Sequence, residues 1–272
     1  MQNILIPTDF SDNAVRAATY ALKLFGDKAN YTLLNAFEVP HSGATMLISI
    51  ADILEKDSLQ LLKAQESKLK EDFSKLSKHI SVRSQMGSPS AVIGKLADSK
   101  DFDMVVMGTK GATGIKEVLV GSVAANTLSS VKCPVLAVPE NAELSVPKRI
   151  LFAADDTCLN EGILPDKLVE IATAHDAEVL ALNVVPMGQM GHVGNNPKND
   201  RTPIGVFERV KHSFHFVEAE SVTSGLEKFM KHNDVDMLSM ITRRQDLIAR
   251  LFGVSNTKKM IMHSKIPLLA FH

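Results

Sequence analysis

The residues best suited to chemistry lie in one stretch, Gly108-Thr-Lys-Gly111-Ala-Thr-Gly114-Ile-Lys-Glu-Val-Leu-Val-Gly121-Ser122. It follows the apolar run at residues 104–107 and runs into a helix predicted over residues 122–130. A glycine at a strand end lets the backbone turn and approach a ligand with no Cβ in the way. At the far end, the free N–H groups and dipole of a helix start favour an anion. Ser122 offers a hydroxyl donor and Lys110 a positive charge. Together these describe a phosphate cradle. The plainer alternative is a glycine-rich turn in which Ser122 serves only as a helix cap. The stretch is not a Walker A loop, since no Gly-Lys-Ser/Thr ends it, and its spacing is not that of the dinucleotide fingerprint.

The elements that must position this loop follow from periodicity. Residues 4–6, 31–37, 82–86, 104–107 and 135–138 read as strands. Ser11 can cap a helix with Ala14, Val15, Ala18, Leu22 and Phe25 on one face and Gly26 as its stop. Residues 52–78 form a long charged helix with Leu54, Leu61, Leu62, Leu69, Phe73 and Leu76 as its expected buried stripe. Ser88-Pro89 opens a helix carrying Val92, Ile93, Leu96 and Ala97. Strands alternating with helices, and apolar on both faces, specify an open parallel sheet covered by helices on each side. Right-handed crossovers then bring Asp9, Ala36 and Gly108, each at or just past a strand end, to one sheet edge.

The chain repeats itself. Asn3-Ile-Leu-Ile-Pro-Thr-Asp9 is answered by Arg149-Ile-Leu-Phe-Ala-Ala-Asp155 at an offset of 146 residues, and Leu34-Asn35-Ala36 by Leu182-Asn183-Val184 at 148. One offset of 133 then aligns residues 87–137 without a gap, matching Ser88 to Ser221, Asp103 to Asp236, Ser122 to Ser255 and Pro134 to Pro267. The segment from Pro139 to Pro147, low in apolar content, reads as a linker. The expected organisation is therefore two domains, 1–140 and 147–272, each a five-stranded α/β sheet. Their last strands, at residues 135–138 and 268–271, would expose unpaired edges unless they pair with each other as an internal pseudo-dimer. Further homodimerisation of whole chains is left open.

Composition narrows the remaining classes. A formal net charge of −1 gives no electrostatic case for nucleic acid or an anionic membrane. No apolar run approaches the roughly 18 residues of a membrane span. Asp9 and Asp12 break any signal-peptide pattern, so a cytoplasmic location is expected. Cys133 and Cys158 suggest neither a disulfide nor a zinc site, and Cys133 reads as a small buried side chain. His79, His212, His215 and His232 lack ligand spacing. The stretch at residues 186–203, with Met187, Met190 and His192, reads as an irregular loop rather than a soft metal site.

Gly, two residues, Gly, nine residues, then Gly-Ser resembles the nucleotide-binding signature of the universal stress protein family. The resemblance extends over Pro7-Thr8-Asp9, Gly87-Ser88-Pro89, the Ser122-Val-Ala-Ala-Asn helix start and the Cys-Pro-Val-Leu-Ala-Val strand. It is weaker over the second half, so the chain is similar to a tandem, Rossmann-like member. The resemblance implies that Pro7, Thr8 and Asp9 contact a nucleoside and that Ala36 lines its adenine. Gly108, Gly111, Gly121 and Ser122 would hold ribose and phosphates of ATP, ADP or AMP, usually with Mg2+ or another divalent cation. Met107, Lys110 and Val123 complete the candidate set. Asp9 has an alternative role as a turn or helix-start carboxylate. No catalytic residue is assigned, and a stress-response or signalling regulator is expected. A slow ATP-hydrolysing or phosphoryl-transfer enzyme, or an interaction module with vestigial sites, are the alternatives.

The second half departs from the signature. The 133-residue offset places Ile241, Arg244 and Val254 where the first half has Gly108, Gly111 and Gly121, and only Ser255 is kept. Branched side chains obstruct close backbone approach to a phosphate. A register shift using Gly253 is the one rescue available. The second site is expected to be lost, with Asp155 as a turn residue and Arg243 and Arg244 as solvated surface groups.

Overall fold

In the computed structural model the residues described are 1–39, 44–111, 120–155, 158–159, 163–188, 206–241 and 265–272, with residues 44–49 and 206 described by backbone alone. Two compact units divide the chain, Met1–Leu144 and Ser145–Phe271.

The first unit runs β1 (Gln2–Pro7), α1 (Asp12–Phe25), β2 (Ala29–Phe37), α2 (Ala44–Asp72), β3 (Ile80–Met86), α3 (Pro89–Asp98), β4 (Met104–Gly108), α4 (Ser122–Ser130) and β5 (Val135–Val138). Its strands lie in the order β3-β2-β1-β4-β5, all parallel. The central strands are apolar on both faces because both are covered, and Ile4, Leu5, Ile6, Val105 and Val106 are fully buried. Right-handed crossovers put α1 and α2 on one face and α3 and α4 on the other. The direction of strand addition reverses between β1 and β4, so their carboxyl ends flank a topological switch point.

Local chemistry sets the helix ends. The Ser11 hydroxyl accepts from the Ala14 N–H at 3.3 Å, and Gly26 closes α1 at φ 55°. Ser88 holds the N-cap position of α3 without a side-chain cap bond, and Pro89 sits in its first turn. The long second helix differs from expectation. It spans Ala44–Asp72 and gives way to a 3-10 segment, Ser74–His79. Its buried stripe is Ser58, Leu62, Gln65 and Leu69, while Leu61 is 50% exposed. Leu61 sits one residue, about 100° of helical turn, from Leu62, and falls outside the narrower stripe that is buried.

The second unit runs β6 (Arg149–Ala153), α5 (Asp166–His175), β7 (Glu178–Val185), β8 (Lys211–Glu218), α6 (Val222–Met230), β9 (Met237–Ile241) and β10 (Leu268–Phe271). Its strand order is β10-β9-β6-β7-β8, again parallel. The repeat extends to individual hydrogen bonds. Asn35 Nδ2 donates to the Thr8 carbonyl at 2.8 Å, and Asn183 Nδ2 to the Ala154 carbonyl at 3.1 Å. Asp103 accepts the Asn3 N–H at 2.7 Å, and Asp236 accepts the Arg149 N–H at 2.8 Å. The register agrees too, with Ile4 opposite Met104 and Ile150 opposite Met237.

Candidate functional site

The carboxyl ends of β1, β2 and β4 and the amino end of α4 enclose a cavity of about 400 Å³, a volume suited to a small ligand. Pro7, Thr8, Asp9, Ala36, Met107, Gly108, Lys110, Gly111, Gly121, Ser122 and Val123 all line it. The sequence did not single out Ala14 of α1, Leu34 and Asn35 of β2, Pro89 and Ile93 of α3, Thr109, or Ala124, which line it as well. Much of the wall is therefore apolar, while the glycines present bare backbone.

The glycine stretch is closed at its base. Gly121 donates its N–H to the Thr109 carbonyl at 2.7 Å, and Thr109 donates its own N–H to Val138 at 3.1 Å. The start of the loop is also held by Asn13 of α1. Its Oδ1 accepts the Lys110 N–H at 2.8 Å, and its Nδ2 donates to the Val138 carbonyl at 3.0 Å. Residues 112–119, with Gly114, lie outside the described residues.

The three glycines of the signature answer to different neighbours. A Cβ on Gly108 would sit 2.6 Å from Asn13 Oδ1 and 3.1 Å from the Asn13 carbonyl carbon. Asn13 alone therefore requires glycine there. On Gly111 a Cβ would meet Asp9 Oδ2 at 2.8 Å, the tip of a side chain. On Gly121 it would meet, among the described residues, the Thr109 oxygen at 3.6 Å and the Gly111 nitrogen at 3.8 Å, ordinary contact distances. The Gly121 backbone, at φ −65° and ψ 155°, suits any residue. No protein atom in the described structure demands a glycine at position 121.

Gly121 also occupies the N-cap of α4, with Ser122 as the first helical residue. Ser122 is thus not the cap, which removes the plainer reading of that residue. A glycine cap has no side-chain acceptor of its own to offer the N–H groups of the first turn.

At the β1 end the turn is tightly bonded. Thr8 is buried, and its hydroxyl oxygen accepts the Phe10 N–H at 3.0 Å while donating to Gln65 Oε1 of α2 at 3.0 Å. Phe10 takes a left-handed conformation at φ 65°. Asp9 Oδ1 accepts from the Ser11 N–H at 3.1 Å and the Ser11 hydroxyl at 2.6 Å. Asp9 thus serves the turn through Oδ1, while Oδ2 faces Gly111. A polar relay ties α2 to the same edge. Ser84 donates to Ser58 at 2.7 Å, Ser58 to Asn35 Oδ1 at 2.8 Å, and Asn35 to the Thr8 carbonyl. Lys110 Nζ lies 2.9 Å from Glu140 Oε2, just past β5.

In the second unit, Ile241 ends β9 where Gly108 ends β4. Asp155 Oδ1 accepts the Cys158 N–H at 2.7 Å, a local turn bond. Arg243, Arg244, Gly253, Val254, Ser255, Met190 and His192 fall outside the described residues. Among the described residues no group of three or more His, Cys, Asp or Glu stands together to hold a metal. Cys158 is buried, whereas Cys133 is only partly so, and burial pushes its thiol up to about 11. No helix among the described residues is long and apolar enough to cross a membrane.

Comparison with known proteins bears on this geometry. The sequence profile of the universal stress protein family matches residues 1–139 and again 147–272. The chain belongs to the universal stress protein family. A universal stress protein of Methanocaldococcus jannaschii is 32% identical over 146 residues, 50% of this chain and 81% of that protein. One from Mycobacterium tuberculosis is 29% identical over 143 residues, 50% of this chain and 95% of its own length. Among solved structures, a universal stress protein of Archaeoglobus fulgidus aligns over 99% of this chain and 96% of its own, at TM-score 0.69 and 18% identity. That likeness establishes the α/β fold of a tandem family member.

Proposed function

We propose that the first unit binds an adenine nucleotide, ATP or its ADP and AMP relatives, and that occupancy regulates a stress or signalling response. The observation that carries this reading is Gly121. Its backbone conformation is open to any residue and no described protein atom crowds its missing Cβ, yet it faces the cavity. A ligand that needs close backbone approach accounts for the glycine. In this reading the base lies against Pro7, Thr8, Asp9 and Ala36, with Met107 and Val123 as apolar wall. Gly108, Gly111, Gly121, Ser122 and Lys110 hold ribose and phosphates at the start of α4. A Mg2+ or similar ion accompanying ATP would take its oxygens mainly from phosphates, hydroxyls and water. Domains 1–140 and 147–272 would divide the work, with Ile241 at the strand end arguing against a matching second site. The sheet-edge strands β5 and β10 would pair to form the internal pseudo-dimer, testable by crosslinking cysteines introduced along them.

Mass spectrometry of nucleotide carried through native purification tests the reading. Adenine nucleotide released on denaturation supports it. Nucleotide-free protein whose melting temperature is unchanged by millimolar ATP would favour the interaction module. One observation favours the enzymatic alternative: Asp9 brings a carboxylate against Gly111 of the glycine loop. Steady ATP turnover that Asp9→Asn abolishes would establish it, and binding without turnover would support the regulator.

A further inference from the structure

Lys110 lines the cavity, yet its ammonium is already engaged by Glu140 at 2.9 Å. The Lys110 backbone is fixed separately by Asn13, so its ammonium can change partner without moving the loop. Glu140 begins the segment leaving β5. In that segment the Ala142 carbonyl accepts from Arg16 of α1, and the Ala142 N–H donates to the Pro139 carbonyl at 3.1 Å. The start of the glycine loop, α1 and the outgoing segment therefore meet in one cluster. Among the described lining residues the ionisable side chains are Asp9 and Lys110. With Glu140 added, the described charge around the cavity is net negative, which is a poor match for several phosphate charges.

We infer that Glu140 is a specificity-determining residue of this site, setting how strongly bound phosphate charge is favoured over an uncharged nucleoside. The inference rests on the nucleotide reading above. Adenosine brings no anion and leaves the Lys110–Glu140 pair intact. A phosphate must draw the ammonium away from Glu140, or share it, while tolerating the nearby carboxylate. Both partners are partly solvated, at 28% and 50% exposure, so the competition is modest and sensitive to salt. It also reaches outward. A phosphate that takes Lys110 frees Glu140, and the segment at residues 140–144 loses one of its anchors.

The test uses the full chain, titrated with ATP, AMP and adenosine at low ionic strength, beside Glu140→Gln. The variant should raise the ratio of ATP to adenosine affinity about two- to five-fold, the range open to a solvated ion pair. The gain should shrink in roughly 0.5 M salt, where the Debye length is only a few ångströms. In the native chain ATP, and not adenosine, should quicken amide exchange at residues 140–144. An unchanged or lower affinity ratio overturns the inference, because Glu140 would then be indifferent or would be orienting Lys110 for the phosphate. Exchange at 140–144 that responds equally to ATP and adenosine overturns it as well. Failure of the native chain to bind any of the three ligands removes the nucleotide reading and this inference with it; binding with an unchanged ratio removes this inference alone.

Discussion

Replacing Gly121 by alanine distinguishes a glycine kept for the fold from one kept for a ligand. Among the described residues the new Cβ meets only ordinary contacts at 3.6 and 3.8 Å, so none of them imposes a steric cost. Restricting the unfolded chain stabilises by about 0.4–1 kcal/mol. Alanine is a poorer N-cap than glycine, which offsets this by a similar amount. The net change should stay within about 0.5 kcal/mol, moving Tm by no more than roughly 2–4 °C. A nucleotide packed against the bare backbone would instead meet an added methyl. Overpacking of that kind costs about 1–3 kcal/mol, or roughly 5- to 150-fold in Kd. Calorimetric titration with ATP, paired with thermal unfolding of the unliganded variant, reads both quantities. A Tm lowered by many degrees would mean that Gly121 serves the fold. Unchanged ATP affinity would mean that no ligand approaches it.

Asn13→Ala should lower stability by about 1–3 kcal/mol in urea unfolding, because the partly buried Lys110 N–H loses its acceptor while the Val138 carbonyl loses one of its two donors. Asp236→Ala should cost about 1.5–3 kcal/mol, with unfolding confined to the second unit, since its carboxylate accepts the Lys148 and Arg149 N–H groups, each at 2.8 Å; limited proteolysis locates the loss. Burial pushes the Cys133 thiol from 9.0 up to about 11, so its contribution to stability is intact below about pH 9 and is lost as pH climbs toward 11. The urea midpoint of the native protein should therefore fall more steeply over pH 9–11 than that of Cys133→Ala. Iodoacetamide labelling of the folded protein should keep rising through that range.

The alternation of strands and helices and the convergence on one edge were legible because the central strands are short runs apolar on both faces, bounded by residues such as Ser11, Gly26 and Ser88. Many of the candidate residues lie at or just past strand ends, where parallel topology dictates a common meeting place. What escaped came from tertiary register. Asn13 sits on the buried face of α1, and only the fold brings it under Gly108 and Lys110. A polar residue within an apolar stripe was the one available signal. Pro89 and Ile93 reach the cavity from the opposite face of the sheet, a placement that local periodicity does not carry. Leu61 was misplaced because Leu61 and Leu62 both fit a broad helical stripe, and the packing of Ser58 and Gln65 against β2 and the β1 end chose between them. The role of Ser122 needed the observed cap. Sequence spacing could not tell whether the helix began at Ser122 or one residue later.

The central claim, an asymmetric protein with one nucleotide site, is tested most directly by counting sites on the full chain by ATP calorimetry. The account predicts saturable binding of one nucleotide per chain. Two equivalent sites would contradict the loss of the second, and no binding at millimolar ATP by folded protein would contradict the first.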